Sequence, residues 1–160
     1  MGFSWILGED LTLDLGTSNT LIYSKRKDGK VIEPSVVAVD LNNYEIVAVG
    51  EKAKSMEGKT PDNIITLAPI KGGKIVNFEI AQVMLTNLLK KAKSNFSIFH
   101  PKVHIAISSG ISEVDRRAIE DCVIYSGARS VEFIPSAVAS AIGLGLPALD
   151  PSGNIIVNIG

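Results

Sequence analysis

The chain has one cysteine, Cys122, among 160 residues. No intrachain disulfide can form, which fits a reducing compartment. Cys122 lies inside an amphipathic helical pattern and reads as a small core residue, not a nucleophile. There is no surplus of positive charge: 16 Lys and Arg face 17 Asp and Glu, for a formal net charge of -1. That excludes a broad basic footprint for nucleic acid. Two short basic groups, Lys25-Arg26-Lys27 and Lys90-Lys91 with Lys93, read as solvated faces. With only two histidines, His100 in a turn and His104 in a strand, a histidine-rich metal site is excluded. No apolar run approaches the roughly 18 residues of a membrane-spanning helix. The opening MGFSWILGED lacks the basic flank and cleavage site of a secretory signal. Ile6 stands where a myristoylation signal after Met1-Gly2 needs Ser or Thr. Neither a repeat nor a low-complexity tract is present.

What remains is a globular composition, 46% hydrophobic and 21% charged, enough for one domain with a real core. The mean hydropathy of +0.25 is high for a free-standing domain. It predicts apolar surface facing a partner, a membrane or another domain. Phe3, Trp5, Ile6 and Leu7 are bunched at the start. They read either as a strand lead-in packed on the core or as a short apolar membrane finger.

Along the chain, Leu11–Leu15 and Leu21–Tyr23 predict a hairpin closed by small residues. Val36–Val39 and Ile46–Val49 predict a second hairpin, and residues 50–76 read as irregular. Asn77 caps a predicted helix over 78–94, with Ile80, Met84, Leu88 and Lys91/Ala92 at helical spacing. Val103–Ile107 is a predicted strand. Ser112 with Asp115 opens a helix to about Ser126, its buried stripe read as Val114, Ala118, Cys122 and Tyr125, with Gly127 as the terminator. A strand over Val131–Ile134, a helix over Ser136–Leu144 and a final strand over Ile155–Ile159 follow. Hairpins followed by alternating helices and strands predict an α/β layer with some parallel pairing.

The most distinctive stretch is Asp14-Leu15-Gly16-Thr17-Ser18-Asn19-Thr20. A turn of small residues exposes backbone N–H groups and short hydroxyls around one point, which suits a phosphate chain. Asp14, at the strand end, is placed to hold the water shell of Mg²⁺. The pattern is neither a Walker A loop nor a dinucleotide fingerprint. On these residues alone it is equally an ordinary tight hairpin.

The turn resembles the first phosphate loop of the actin, Hsp70 and sugar-kinase superfamily. Further blocks make the resemblance specific to the MreB family of bacterial actins, the rod-shape-determining proteins. They are Glu33–Ala38 (EPSVVA), Val49-Gly50-Glu51, Thr60–Ile64 (TPDNI), Ser109–Ile111, Arg116–Ala118, Gly127–Arg129, Gly145–Pro147 and Pro151–Asn154. The resemblance implies an actin-like (ribonuclease H-like) ATPase fold of class α/β, first half only: a mixed sheet flanked by helices with a small inserted subdomain. Residues 1–31 and 69–160 would be subdomain IA and residues 32–68 subdomain IB. It implies ATP and Mg²⁺ as cofactors, with Asp14, Gly16, Thr17, Ser18, Asn19 and Thr20 at the nucleotide and Asp14 holding the metal through water. Asn158 and Gly160 would open the second phosphate loop.

Two positions depart from the family pattern. Where the family has Ile-Glu-Glu-Pro-Met-Ala, with a glutamate that positions the attacking water, this chain has Ile134-Pro135-Ser136-Ala137-Val138-Ala139. Ser136 can bond a water but brings no carboxylate charge; general-base assistance is typically worth ~10²–10⁴ in rate. Where the family has an acid before its second glycine loop, this chain has Asn158. The expectation is retained nucleotide binding with hydrolysis weakened or lost.

The resemblance also implies a membrane-insertion loop at Phe96, Ile98 and Phe99; on the membrane-finger reading, Phe3, Trp5 and Ile6 would be a second contact. It further implies head-to-tail assembly with copies of itself or another MreB-like actin, morphogenesis proteins as partners, and a cytoplasmic place at the inner face of the cell membrane. The competing reading is a non-catalytic half-actin that binds or regulates the filaments of a full-length relative. A sugar kinase is disfavoured, because no sugar-binding carboxylate motif accompanies the matching blocks.

Overall fold

The computed structural model describes residues 9–94, 99–147 and 153–157. Alternation builds the first hairpin. Strand β1 (Asp10–Leu15) buries Leu11, Leu13 and Leu15 and turns Asp10, Thr12 and Asp14 outward. Strand β2 (Asn19–Ser24) returns antiparallel, with Leu13 opposite Ile22, and β3 (Gly29–Pro34) pairs with it. A second set of short strands follows: β4 (Val37–Asp40), β5 (Ile46–Val49) and, after helix α1 (Glu51–Met56), β6 (Ile64–Leu67). They form a three-stranded sheet in the order β5-β4-β6. A two-residue-armed hairpin, β7 (Ile70–Lys71) and β8 (Lys74–Ile75), leads into helix α2 (Phe78–Ala92). Then come β9 (Lys102–Ile107), α3 (Glu113–Tyr125), β10 (Ser130–Pro135) and α4 (Ser136–Gly143).

The main sheet runs β10-β9-β1-β2-β3. Its β1, β9 and β10 are parallel and the hairpin strands antiparallel, so the expected mixed α/β layer is present. Helix α2 starts where the Asn77 carboxamide oxygen accepts the Ile80 N–H at 3.0 Å. Its buried face is Ala81, Met84, Leu85, Leu88, Leu89 and Ala92, a 3-4 spacing that rolls the helix about one residue from the expected stripe. These side chains meet Leu11, Leu13, Ile22, Val103 and Ile105 of the sheet in one core. The three-stranded sheet adds Val37 and Val39 to the same core. Its other face closes on a smaller cluster of Val36, Ala38 and Ala53.

Three expectations need correction. Helix α3 buries Ile119, Cys122 and Val123, whereas Val114 is 80% and Tyr125 67% exposed. The helix is held at both ends: Ser112 Oγ accepts the Asp115 N–H at 3.1 Å, and Ser126 donates to the Gln82 carbonyl at 3.1 Å. Residues 50–76 are not irregular, since they contain α1, β6, β7 and β8. The start of α1 is set from 18 residues away, where the Glu51 N–H donates to Glu33 Oε2 at 2.8 Å. Finally, residues 155–157, the described part of the predicted strand over Ile155–Ile159, form none; Ile155 and Val157 are exposed and no ladder partner reaches them among the described residues.

The basic groups are also less idle than expected. Lys27 Nζ donates to the Lys91 carbonyl, and Lys91 Nζ pairs with Glu33 at 2.6 Å.

Candidate functional site

Parallel pairing aligns Asp14 with Ala106, and Ala106 with Ile134. The C-terminal ends of β1, β9 and β10 therefore lie side by side. In open α/β sheets, ligands bind outside such strand ends. A cavity of about 620 Å³ opens there. Its wall carries Asp14 from β1, Ser108 and Gly110 from the loop after β9, and Ser136 from the start of α4. Gly72, Gly73 and Lys74 of the β7–β8 hairpin close another side.

The first turn is assembled by its own small side chains. The Gly16 N–H donates to the Asn19 carbonyl at 3.1 Å. A Cβ at Gly16 would lie 2.5 Å from that same oxygen, so the close approach requires glycine. Thr20 and Ser35 are fully buried. Ser35 Oγ donates to the Gly16 carbonyl at 2.7 Å and so accepts from Thr20 Oγ1 at 2.9 Å. The Ser35 N–H donates to the Ser18 carbonyl. Thr17 Oγ1 accepts the Gly72 N–H at 2.8 Å, which ties the turn to the β7–β8 hairpin. Thr17 and Thr20 thus serve the turn itself, while Ser18 and Asn19 are exposed.

Of the residues expected at a nucleotide, Asp14 and Ser136 line the cavity, whereas Gly16, Thr17, Ser18, Asn19 and Thr20 follow the last lining residue of β1, Leu15, and are not on its wall. Asn158 and Gly160 lie outside the described residues. So do Phe3, Trp5, Ile6, Phe96 and Ile98; Phe99 is 46% exposed. Partial burial raises the Asp14 carboxyl above the usual carboxylate range. No cluster of three or more His, Cys, Asp or Glu side chains that could hold a metal occurs among the described residues. A single carboxylate still suits Mg²⁺, which commonly takes one or two carboxylates and completes its shell with water and phosphate oxygens.

The sequence reading passed over Lys74, Ser108 and Gly110. Ser108-Ser109-Gly110 has the same signature as the first turn, small residues at the end of an apolar strand. Lys74 had no local signal, because only the fold brings its hairpin to the cavity. Elsewhere, Glu9 is a buried acid: Ser24 Oγ donates to it, and so does the Ser94 N–H at 2.8 Å. His104 lies 3.3 Å from Glu132, which also pairs with Lys102 at 2.5 Å. Among the described residues no helix is long and apolar enough to cross a membrane.

A mixed sheet opened by a small-residue hairpin, joined in parallel by β9 and β10 and carrying a cavity at their shared ends, places the protein in the actin-like class. The solved structures it resembles agree. MreB5 of Spiroplasma citri bound to ADP superposes with a TM-score of 0.77 and 31% identity, over 88% of this chain and 42% of that one. The same protein bound to AMPPNP gives the same values. The MamK double helical filament matches in fold, with a TM-score of 0.71 at 20% identity over 86% of this chain. The family model described as MreB/Mbl protein matches residues 8–160, and the chain belongs to that family. Cell shape-determining protein Mbl of Bacillus cereus is 40% identical over 157 residues, covering 97% of this chain and 46% of that protein. Cell shape-determining protein MreB of Escherichia coli K12 is 40% identical over 163 residues, covering 99% and 47%. The chain thus spans about half the length of the relatives it matches.

Proposed function

We propose that this chain is the first half of a cell-shape-determining bacterial actin and that its cavity receives the phosphates of ATP. Residues 1–31 and 69–160 act as subdomain IA and residues 32–68 as IB. The observation that supports the reading is the convergence of Asp14, Ser136 and the Gly72–Lys74 hairpin, which Thr17 of the first turn holds, on one cavity at the ends of β1, β9 and β10. Backbone groups of residues 16–20 cradle the phosphate chain, with Asn158 and Gly160 opening the second phosphate loop. Asp14 accepts hydrogen bonds from the water shell of Mg²⁺, which when bound offsets phosphate charge. Ser136 holds a water by a hydroxyl alone. It neither takes a proton nor orients the water with full charge, so turnover is slow or absent. Assembly with copies of itself or another MreB-like actin, and contact with the inner membrane surface through Phe96, Ile98, Phe99 and the 3–6 segment, complete the role. The protein is then cytoplasmic and peripheral, within reach of morphogenesis proteins. Each buried side chain contributes only a few kcal/mol, so membrane binding gains its strength from the number of subunits in a filament.

A second reading is favoured by Ser136 itself: a non-hydrolysing half-actin that binds filaments of a full-length relative. Sedimentation separates the two. Nucleotide-dependent pelleting of the protein alone supports self-assembly, whereas pelleting only with a full-length MreB supports the second reading. Phosphate release tests the chemistry: Ser136→Glu is expected to raise it about 10²-fold or more, the usual range of general-base assistance. Unchanged release would refute the role assigned to position 136.

A further inference from the structure

Lys74 and Asp14 are the two charged residues on the cavity wall among the described residues. Lys74 opens β8, just after Gly72 and Gly73, whose φ values of 56° and 71° make the tight reversal. The Gly72 N–H to Thr17 Oγ1 bond fixes this hairpin against the first turn, so the fold holds Lys74 at the same cavity as Asp14. Its Nζ lies 2.8 Å from Asp115 Oδ2, and the lysine side chain is 55% exposed. Exposed ion pairs contribute little to stability, so the ammonium can leave Asp115 for an anion of higher charge. The opposite wall adds a second cationic element. Helix α4 begins at Ser136, and its cap, Pro135, makes no side-chain cap bond. The N–H groups of its first turn and the positive end of its dipole therefore stand at the cavity wall. Ser136 sets no negative charge against them.

We propose that Lys74 binds the phosphate chain of a nucleotide in this cavity and supplies part of the neutralisation that a divalent cation would otherwise provide. Phosphate binding here then depends only weakly on divalent metal. The inference rests on reading the cavity as a nucleotide site, and it adds a residue and a cation dependence to that reading.

The test is calorimetric titration of the protein with AMPPNP and with tripolyphosphate, in excess Mg²⁺ and in EDTA. The wild type is expected to lose no more than about threefold in affinity in EDTA, and Lys74→Val about tenfold more, as for loss of a charge-assisted hydrogen bond. In Mg²⁺ the variant's loss is smaller. Asp115→Asn keeps the Ser112 cap of α3 but releases Lys74. It is expected to tighten binding in EDTA, and to have no effect when combined with Lys74→Val. That dependence separates a ligand contact from a merely structural one. Equal affinities of wild type and Lys74→Val in EDTA, with both folded by circular dichroism, would overturn the proposal, as would abolition of wild-type binding by EDTA. Absence of binding to the wild type in both conditions refutes the nucleotide reading, and the proposal with it.

Discussion

Replacing Ser35 by Ala tests whether the first turn is held from beneath. Ser35 Oγ lies between the Gly16 carbonyl, 2.7 Å away, and Thr20 Oγ1, 2.9 Å away. Ser35 and Thr20 are both 0% exposed. The substitution removes two hydrogen bonds and leaves the Thr20 hydroxyl buried without an acceptor. Gly16 is partly exposed, so water can reach its carbonyl; the cost falls mainly on Thr20. A buried unsatisfied group costs about 1–3 kcal/mol, so Ser35→Ala is expected to lose about 2 kcal/mol. At 2–4 °C per kcal/mol for a chain of this size, that is a fall in Tm of about 4–8 °C. Thr20→Val alone leaves Ser35 donating to Gly16 and is expected to cost about 1 kcal/mol. The double variant is expected to be no less stable than Ser35→Ala, because both halves of the Thr20–Ser35 bond are then gone. Urea denaturation of the four proteins measures this coupling. Additivity within about 0.5 kcal/mol, or a Ser35→Ala effect below that value, would refute the reasoning. The same variant is expected to weaken AMPPNP binding although Ser35 is not on the cavity wall, since the turn it supports is the proposed phosphate cradle.

Two further outcomes follow from charge. Asp14 has a carboxyl raised above its usual 3.8 by desolvation. Its ionised form therefore opposes folding, a cost that sets in as pH rises through the folded value. Asp14→Asn is expected to raise Tm at neutral pH, to lose that advantage below the usual value, and to remove only the small Mg²⁺-dependent part of nucleotide binding; a lower Tm at pH 7 would contradict this. For Glu33, burial pushes the carboxyl up, but bonds from Lys91 and the Glu51 N–H outweigh it and hold it below its usual 4.5. Its stabilising contribution is full above that value and is lost as pH falls through the folded one. Glu33→Gln is expected to cost about 1 kcal/mol at pH 7 and progressively less in acid, measured by denaturation from pH 7 to 3; a gap independent of pH would remove Lys91 from the account.

The parts of the fold readable in the sequence are those with local causes. Leu11, Leu13 and Leu15 alternate, and Asn77 and Ser112 announce helices through bonds three residues on. The first turn was legible because Gly16 to Thr20 are all small. What escaped was set at a distance. Glu33 starts α1 from another strand, and Ser126, bonded to the Gln82 carbonyl of α2, helps set α3 with Val114 and Tyr125 outside. Lys74 reaches the cavity only because Gly72 bonds to Thr17, 55 residues away. Half of the candidate site is therefore a strand-end motif, and half is a product of tertiary pairing that no window of neighbouring residues encodes.

The most direct measurement is an amide NMR titration of the isotope-labelled protein with AMPPNP. The account predicts that shifts concentrate at Asp14 to Thr20, Gly72 to Lys74, Ser108 to Gly110 and Ser136, and that Lys74→Val selectively removes part of the response. Saturable shifts confined to another surface, or none up to millimolar ligand, would contradict it.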